Sequence, residues 1–544
     1  MSKVAHYLQE HLVGEVIVST DARRYFATDA SILQVAPSVV VYPRGENDVR
    51  KTARFAWQLA ERGRVIPLTA RGLGSDTTGA ALSSGLMVVF PAHMNRLLEL
   101  NTKSNDVVVE AGANFGKLQQ ALHTHGRFLP PYPNSADYIT VGGALANNAS
   151  GEKSLKYGDM RSFAKSLRVV LANGEVIVTG RLSKRELNKK LGLATFEGEI
   201  YRSLDTLLEE NRAAIEKVGH KVAKNNTGYL LDGIKHKDGS IDITPLMVGS
   251  QGTLGIITEA TLDIEAYNPQ TTLIVATFDD LQKAQDAILD LREMSDIPSA
   301  IELVDGNLLQ QVQELNPHLL KDVMKPPFPA IVLVVEFDNG DRQIKKARKR
   351  AQKIIDKYAT SSQTATDPEE QQKLWKVRQT SSIFMAHNEG LLRALPIVDD
   401  AIVPVQRLRE HLEGIYALFK EHNLPVAVWG HAGEGIIHVQ PKLNIGQVGD
   451  RQKAFRLMNE YFKLVHSLGG VTGADSGDGR LHAPYLEAQV GAEMYGILQK
   501  VKKIFDPYDI LNPGVKFGTS MDDLKSMVRQ DYGHDHRYDY LPRS

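Results

Sequence analysis

Apolar positions in the first third of the chain fall into short continuous runs separated by helical stripes. "SVVVY" is such a run, and "ENDVRKTARFAWQLAERG" after it places Val49, Ala53, Ala56 and Leu59 on one helix face. A second run, "VIPL", leads into a glycine-rich turn, so the order is strand, helix, strand, loop. "GLMVVF" and "DVVVEAGA" read as two more strands and "NFGKLQQALHTHG" as a helix. The stretch "PPYPNSADYITVGGALANNASG" is too rich in Pro, Gly and Asn to be one regular element. "SLRVVLANGEVIVTG" predicts a hairpin turning at Asn173-Gly174, and the block ends with "PLMVGSQGTLGIITEATLDIEAYNP".

From about residue 270 strands and helices alternate: "TTLIVATF", "LQKAQDAILDLREM", "AIELVD", "AIVLVVEF", "IKKARKRAQKIIDKY". This order predicts an antiparallel sheet covered by helices on one face, an α+β layer. A second such unit is expected from "RALPIVDDAIVP" to "PVAVWGHAGEGIIHVQPKL". The basic run "KKARKRAQKIIDK" reads as the solvated face of a helix over a stripe at Ile354 and Ile355, rather than as a nucleic-acid patch. His534 and His536 belong to a polar tail. The segments divide as 1–34 (N-terminal helical), 35–268, 269–500, and 501–544, which returns to the first large domain and ends in that tail.

Composition narrows the chemistry. The 544 residues are 42% hydrophobic and 24% charged, the profile of an ordinary globular protein. A formal net charge of -1 gives no field to gather nucleic acid. The absence of cysteine excludes disulfides, thiolate catalysis and chain-bound iron–sulfur clusters, so any metal must use nitrogen and oxygen ligands. No apolar run reaches the ~18 residues of a transmembrane helix and no signal-peptide pattern opens the chain, so a cytoplasmic location is expected, with peripheral membrane association left open.

Three glycine-rich stretches follow strands: "TARGLGSDTTGA", "VGGALANNASG" and "VGSQGTLGIIT". Glycine lets successive backbone N–H groups close on an anion, and Arg71, Ser75, Thr77, Thr78 and Ser250 add side-chain donors. None fits the G-x-G-x-x-G fingerprint or carries a P-loop lysine, so neither nucleotide fold is indicated.

In this order and spacing, the three stretches resemble the FAD-binding domain of the PCMH-type (vanillyl-alcohol-oxidase-type) flavoproteins. The second half resembles the C-terminal domain of FAD-linked oxidases, in the D-lactate, D-2-hydroxyglutarate and glycolate dehydrogenase branch. The resemblance spans roughly residues 30–520. It implies an α+β fold: an FAD domain of two α+β subdomains with the pyrophosphate between them, plus an α+β cap domain with an antiparallel sheet. Implied cofactor contacts are Arg71, Gly72, Gly74, Ser75, Asp76 and Thr77 from the first loop, and Ser135, Gly142, Gly143, Asn148 and Gly151 from the second. Gly249, Gly252, Thr253, Gly255 and Ile257 come from the third, and Asn512 from the terminal "LNPG". Neither of the first two loops holds a histidine or cysteine, so noncovalent FAD is expected.

His431 and His438 in "WGHAGEGIIH" are seven positions apart, and the intervening glycines favour a turn over a helix. "GHAGEGIIH" resembles that branch's metal-binding G-H-x-G-D-G-N-x-H, and "TGADSGDGRLHAPYL" its later E-H-G segment, which implies His431, His438 and Asp475 as ligands of zinc, manganese or iron(II). "KLWKVRQ" resembles its W-x-x-R and implies that Arg378 clamps the substrate carboxylate. Asp399 and Asp400 are either partners behind the ligands or a solvated strand end. Two departures stand out: Ser476 replaces the histidine base and Ile436 the asparagine. The base is then sought in His482, His387 or a metal-bound hydroxide. The implied activity is FAD-dependent oxidation of a D-2-hydroxy acid, with electrons passed to a quinone, cytochrome, flavoprotein or iron–sulfur partner. Alternatives are a metal-independent flavin oxidase of another alcohol or sugar lactone, and a flavin-binding subunit with a degenerate site.

Overall fold

A computed structural model describes residues 3–133, 135–217, 222–387 and 390–530; His534 and His536 lie outside them. Three main sheets organise the chain. The first has the order Glu15–Ile17, Val39–Tyr42, Leu86–Val89, Leu68–Arg71, with its last three strands parallel. Its continuous apolar runs follow from burial on both faces: Val39, Val41 and Val88 meet Val49, Ala53 and Ala56 of the helix Glu46–Glu61. The strand expected at "VIPL" begins at Leu68 instead and runs to Arg71, because pairing is set by Leu86–Val89 alongside. The second sheet has the order Leu97–Asn101, Asp106–Glu110, Ile256–Asp263, Ala164–Val170, Val176–Val178 and is antiparallel throughout. The Asn173-Gly174 hairpin joins its last two strands, with Gly174 at φ 84°.

The third sheet is antiparallel, in the order Ser361–Ala365, Thr272–Phe278, Ile331–Phe337, Ala300–Asp305, Val428–Gly430, Ile436–Val439, Ala401–Ile402. Two expectations are corrected here. Val428–Gly430, Ile436–Val439 and Ala401–Ile402 of the second expected unit extend this same sheet, its strands Arg393–Ala394 and Lys442–Leu443 pair separately, and helices cover both faces of the large sheet. Ile274, Leu333 and Val335 meet the helices Leu281–Arg292 and Asp341–Tyr358 on one side, with Ala347, Ala351 and Ile355 of the basic helix turned inward. Val275, Val304 and Val334 meet the helices Gly306–Leu315 and Pro368–Ala386 on the other. Double coverage is why "AIVLVVEF" is apolar without alternation.

The C-terminal segment returns to the first sheet and the third glycine loop. Leu511 bridges Leu68, and Lys502 Nζ donates to the carbonyls of Thr253 and Leu511 and to Asp506. Among the described residues, no helix is long and apolar enough to cross a membrane.

Candidate functional site

The first and third glycine loops face the helix Val141–Asn147 across a cleft with about 780 Å³ of non-atom space, partly open to solvent. Arg71, Gly72, Gly74, Ser75, Asp76, Gly142, Gly143, Gly252, Gly255 and Ile257 line it. Gly74 (φ 78°) and Gly252 (φ 72°) hold left-handed turns on the first and third loops. A Cβ at Gly252 would meet nothing nearer than Asn512 Nδ2 at 3.9 Å. The backbone N–H groups of Leu73, Gly74, Ser75, Asp76 and Thr77 have no acceptor among the described residues. Five consecutive donors beside a cleft of small residues suit a pyrophosphate, so the chain fits FAD here.

Several residues do other work than the sequence suggests. The Arg71 guanidinium donates to the carbonyls of Phe26, Thr28 and Ala81, pinning the N-terminal segment. Asp76 accepts the amides of Thr78 and Ala80 and shapes its own loop. The amides of Gly142 and Gly143 are spent on the Ala111 carbonyl and Thr140 Oγ1, so this helix start offers fewer donors than expected. Thr77, Asn148, Gly151, Gly249, Thr253, Ser135 and Asn512 lie outside the cleft wall. Asn148 bonds Asp159 and Asn226, and Thr253 bonds Tyr229. Asn512 accepts from Thr69 and donates to the carbonyls of Ala80 and Gln251, tying the first and third loops to the tail.

The second centre is a hairpin. Trp429 pairs with His438 across the strands Val428–Gly430 and Ile436–Val439, and His431 opens the turn between them. Their rings lie 5.8 Å apart and nearly perpendicular. Ligand atoms of His431, His438 and Asp475 fall within 4.8 Å of one another. His431 Nδ1 is 2.8 Å from Glu302 Oε1 and His438 Nδ1 is 2.7 Å from Asp399 Oδ1, leaving each Nε2 as the atom available to a cation. Burial alone would lower the His431 pKa, but Glu302 outweighs it and lifts the imidazole to about 9. Burial favours protonation of Asp475, yet Lys224 and the two histidines hold it well below the usual carboxylate range. Asp475 also accepts from the Ser150 amide at 3.3 Å and from the Ser150 hydroxyl, while Lys224 Nζ sits 2.9 Å away.

Arg378 is buried, with Nε donating to Glu302 Oε2 at 2.7 Å and a terminal nitrogen to Ser381. Glu302 therefore bridges Arg378 and His431. Sequence reading missed Glu302, Lys224 and Ser150. An acidic residue inside the otherwise apolar "AIELV" was the signal for the first. Ser476 joins the two centres: its hydroxyl accepts from Thr77 Oγ1 at 3.2 Å and its carbonyl from Gln251 at 3.0 Å. Its amide donates to Asp400, whose carboxyl burial keeps protonated well above the ordinary range. Ile436 packs in a small apolar cluster with Ile402, Val471 and Ala474. His482 is buried against Phe462, and its Nδ1 has no partner among the described residues. His387 caps the helix that carries Arg378, nine residues and about 13.5 Å further along the axis.

Residues 37–180 match the family model described as FAD binding domain, and residues 268–515 the model described as FAD linked oxidases, C-terminal domain. The chain is 30% identical over 535 residues to a D-2-hydroxyglutarate dehydrogenase of Pantoea ananatis, covering 95% of this chain and 51% of that protein. It thus spans about half the length of that relative. It is 28% identical over 506 residues to a D-lactate dehydrogenase of Archaeoglobus fulgidus, covering 92% of this chain and 97% of that one. The 4-ethylphenol oxidase of Gulosibacter chungangensis shares the fold, with a TM-score of 0.68 at 14% identity over 95% of this chain and 97% of the oxidase.

Proposed function

Because the chain belongs to the FAD-linked oxidases, with an FAD-binding domain followed by the C-terminal domain of that family, we propose that it oxidises a D-2-hydroxy acid. The observation that carries this reading is Ser476: next to Asp475, it bonds Thr77 of the first glycine loop, so the histidine pair and the cofactor cleft meet at one residue. The names of the two dehydrogenase relatives point to the same substrate class.

FAD bound in the cleft supplies a hydride acceptor. His431, His438 and Asp475 would hold zinc, manganese or iron(II), which supplies Lewis acidity toward a hydroxyl and its neighbouring carboxylate. Glu302 and Asp399 keep the Nδ1 proton on each ring and so fix the tautomer that presents Nε2. Arg378 acts through Glu302 as a positioning residue for His431, because part of its guanidinium is already engaged by that carboxylate. Ser476 cannot take up a proton at neutral pH. His482, on the loop that carries Asp475, is held neutral by burial and accepts the proton in this scheme. Noncovalent FAD is anchored by the amides of residues 73–77.

One contact favours a second reading, a reaction without metal: Lys224 already sits on Asp475 where a cation would compete with it. Anaerobic bleaching of the flavin by a panel of D-2-hydroxy acids separates the two. Bleaching abolished by a chelator and by His431→Ala supports the metal-assisted reading; bleaching indifferent to chelator supports the other. A panel that leaves the flavin oxidised throughout refutes both.

A further inference from the structure

A second cavity is lined by Arg378 and by Glu152, whose carboxyl feels the charges of Glu302 and His431. Tyr132 and Glu152 of the first domain and Glu336, Trp375, Arg378 and Gln379 of the cap face it. Two hydrogen-bonded paths tie it to the centre described above. Ser150, which bonds Asp475, is two residues from Glu152, and Arg378 holds the Glu302 carboxylate that holds His431.

The polar character of this wall is unusual for a site meant to take a second carboxylate. Its guanidinium is already engaged by a buried carboxylate, Glu302. Two further carboxyl groups face the space, and of these Glu336 is met by Lys153 and by the Ser299 hydroxyl. Glu152 and Glu302 share the surroundings of the one Arg378. Burial, and then the neighbouring Glu302, push the Glu152 carboxyl up to about 7 against the opposing pull of Arg378 and His431. A ligand carboxylate entering here would add another negative charge to a wall whose Arg378 already serves Glu302 and whose Glu336 already takes Lys153. A ligand ammonium would meet Glu152 and Glu336 and the faces of Trp375 and Tyr132, a setting that suits cations.

We propose that this cavity receives the end of the substrate remote from the reacting carbon, and that Glu152 and Glu336 select a 2-hydroxy acid ending in a hydrogen-bond donor, an ammonium foremost, over one ending in a second carboxylate. The inference rests on the 2-hydroxy-acid reading and narrows it, away from the dicarboxylic substrate in the name of the Pantoea relative.

The test uses the FAD-loaded full chain in an anaerobic stopped flow at pH 7.5, with D-4-amino-2-hydroxybutanoate, D-2-hydroxyglutarate and D-lactate. Flavin reduction rate divided by apparent Kd should be at least tenfold higher for the amino acid analogue than for D-2-hydroxyglutarate. Glu152→Gln, which keeps shape and removes charge, should narrow that gap at least fivefold; should this variant fail to hold flavin, the wild-type ranking alone decides. D-2-hydroxyglutarate equal to or ahead of the amino compound overturns the inference while leaving the hydroxy-acid reading intact, as does a gap unmoved in folded Glu152→Gln. A flavin that none of the three acids reduces removes the parent reading, and this one with it.

Discussion

Asn512→Ala tests whether the C-terminal segment organises the cofactor cleft. The side chain makes three buried contacts: it accepts from Thr69 Oγ1 at 3.1 Å and donates to the carbonyls of Ala80 and Gln251 at 2.8 Å each. Each neutral bond contributes about 1 kcal/mol net, and stranded partners add more. The loss is therefore about 3 kcal/mol. Ala80 and Gln251 both line the cleft, one from each of two glycine loops, so the loss falls on the arrangement that FAD requires. If all of it is taken from cofactor binding, 3 kcal/mol is roughly a 150-fold rise in the FAD Kd. Quenching of flavin fluorescence on titration of apoprotein gives that constant, and thermal unfolding with and without FAD gives the stability share. An FAD Kd within threefold of wild type, together with an unchanged melting temperature, would show that the tail merely lies against the cleft.

Other consequences are open to measurement. His411 is fully buried, neither ring nitrogen has a partner among the described residues, and burial lowers its pKa to about 3. A histidine depressed in this way contributes stability above its unfolded value near 6.5 that is lost as pH falls toward about 3, some 2 kcal/mol by pH 5. His411→Leu should therefore gain about that much relative to wild type between pH 7 and pH 5 in urea titrations; a gap that stays constant with pH would contradict it. Asp305 is raised to about 6 by burial, against the amides of Val428 and Leu308. Its contribution is present below the unfolded value of 3.8 and lost as pH rises through 6, about 3 kcal/mol in all, so Asp305→Asn should cost less at pH 8 than at pH 5. His431→Ala and His438→Ala should each lower bound metal, measured by elemental analysis after loading, at least tenfold, and equal loading in both would exclude them as ligands. Lys224→Met removes a positive charge 2.9 Å from Asp475 and should tighten metal binding at least tenfold in chelator competition, with weaker binding counting against a competing lysine.

Local signals carried the sequence reading far. The glycine loops were legible because positive φ and bare amides leave a compositional mark, and the hairpin because Gly433 and Gly435 lie between two histidines. What could not be read was set by pairing across long separations. Glu302 meets His431 from 129 residues away and Lys224 meets Asp475 from 251. The direction of Arg71 was hidden for the same reason: its acceptors include carbonyls 45 and 43 residues upstream. Helices on both faces of the cap sheet were also underestimated, although the unbroken apolar strand "IVLVVEF" held that information.

The bond between Thr69 and Asn512 spans 443 residues. During synthesis at about 5–20 residues per second, the first glycine loop therefore waits roughly 20–90 s for the residue that locks it. Through that interval the half-built cofactor domain exposes apolar walls with no tail to cover them. Any ligand whose site needs this lock has to wait for residue 512.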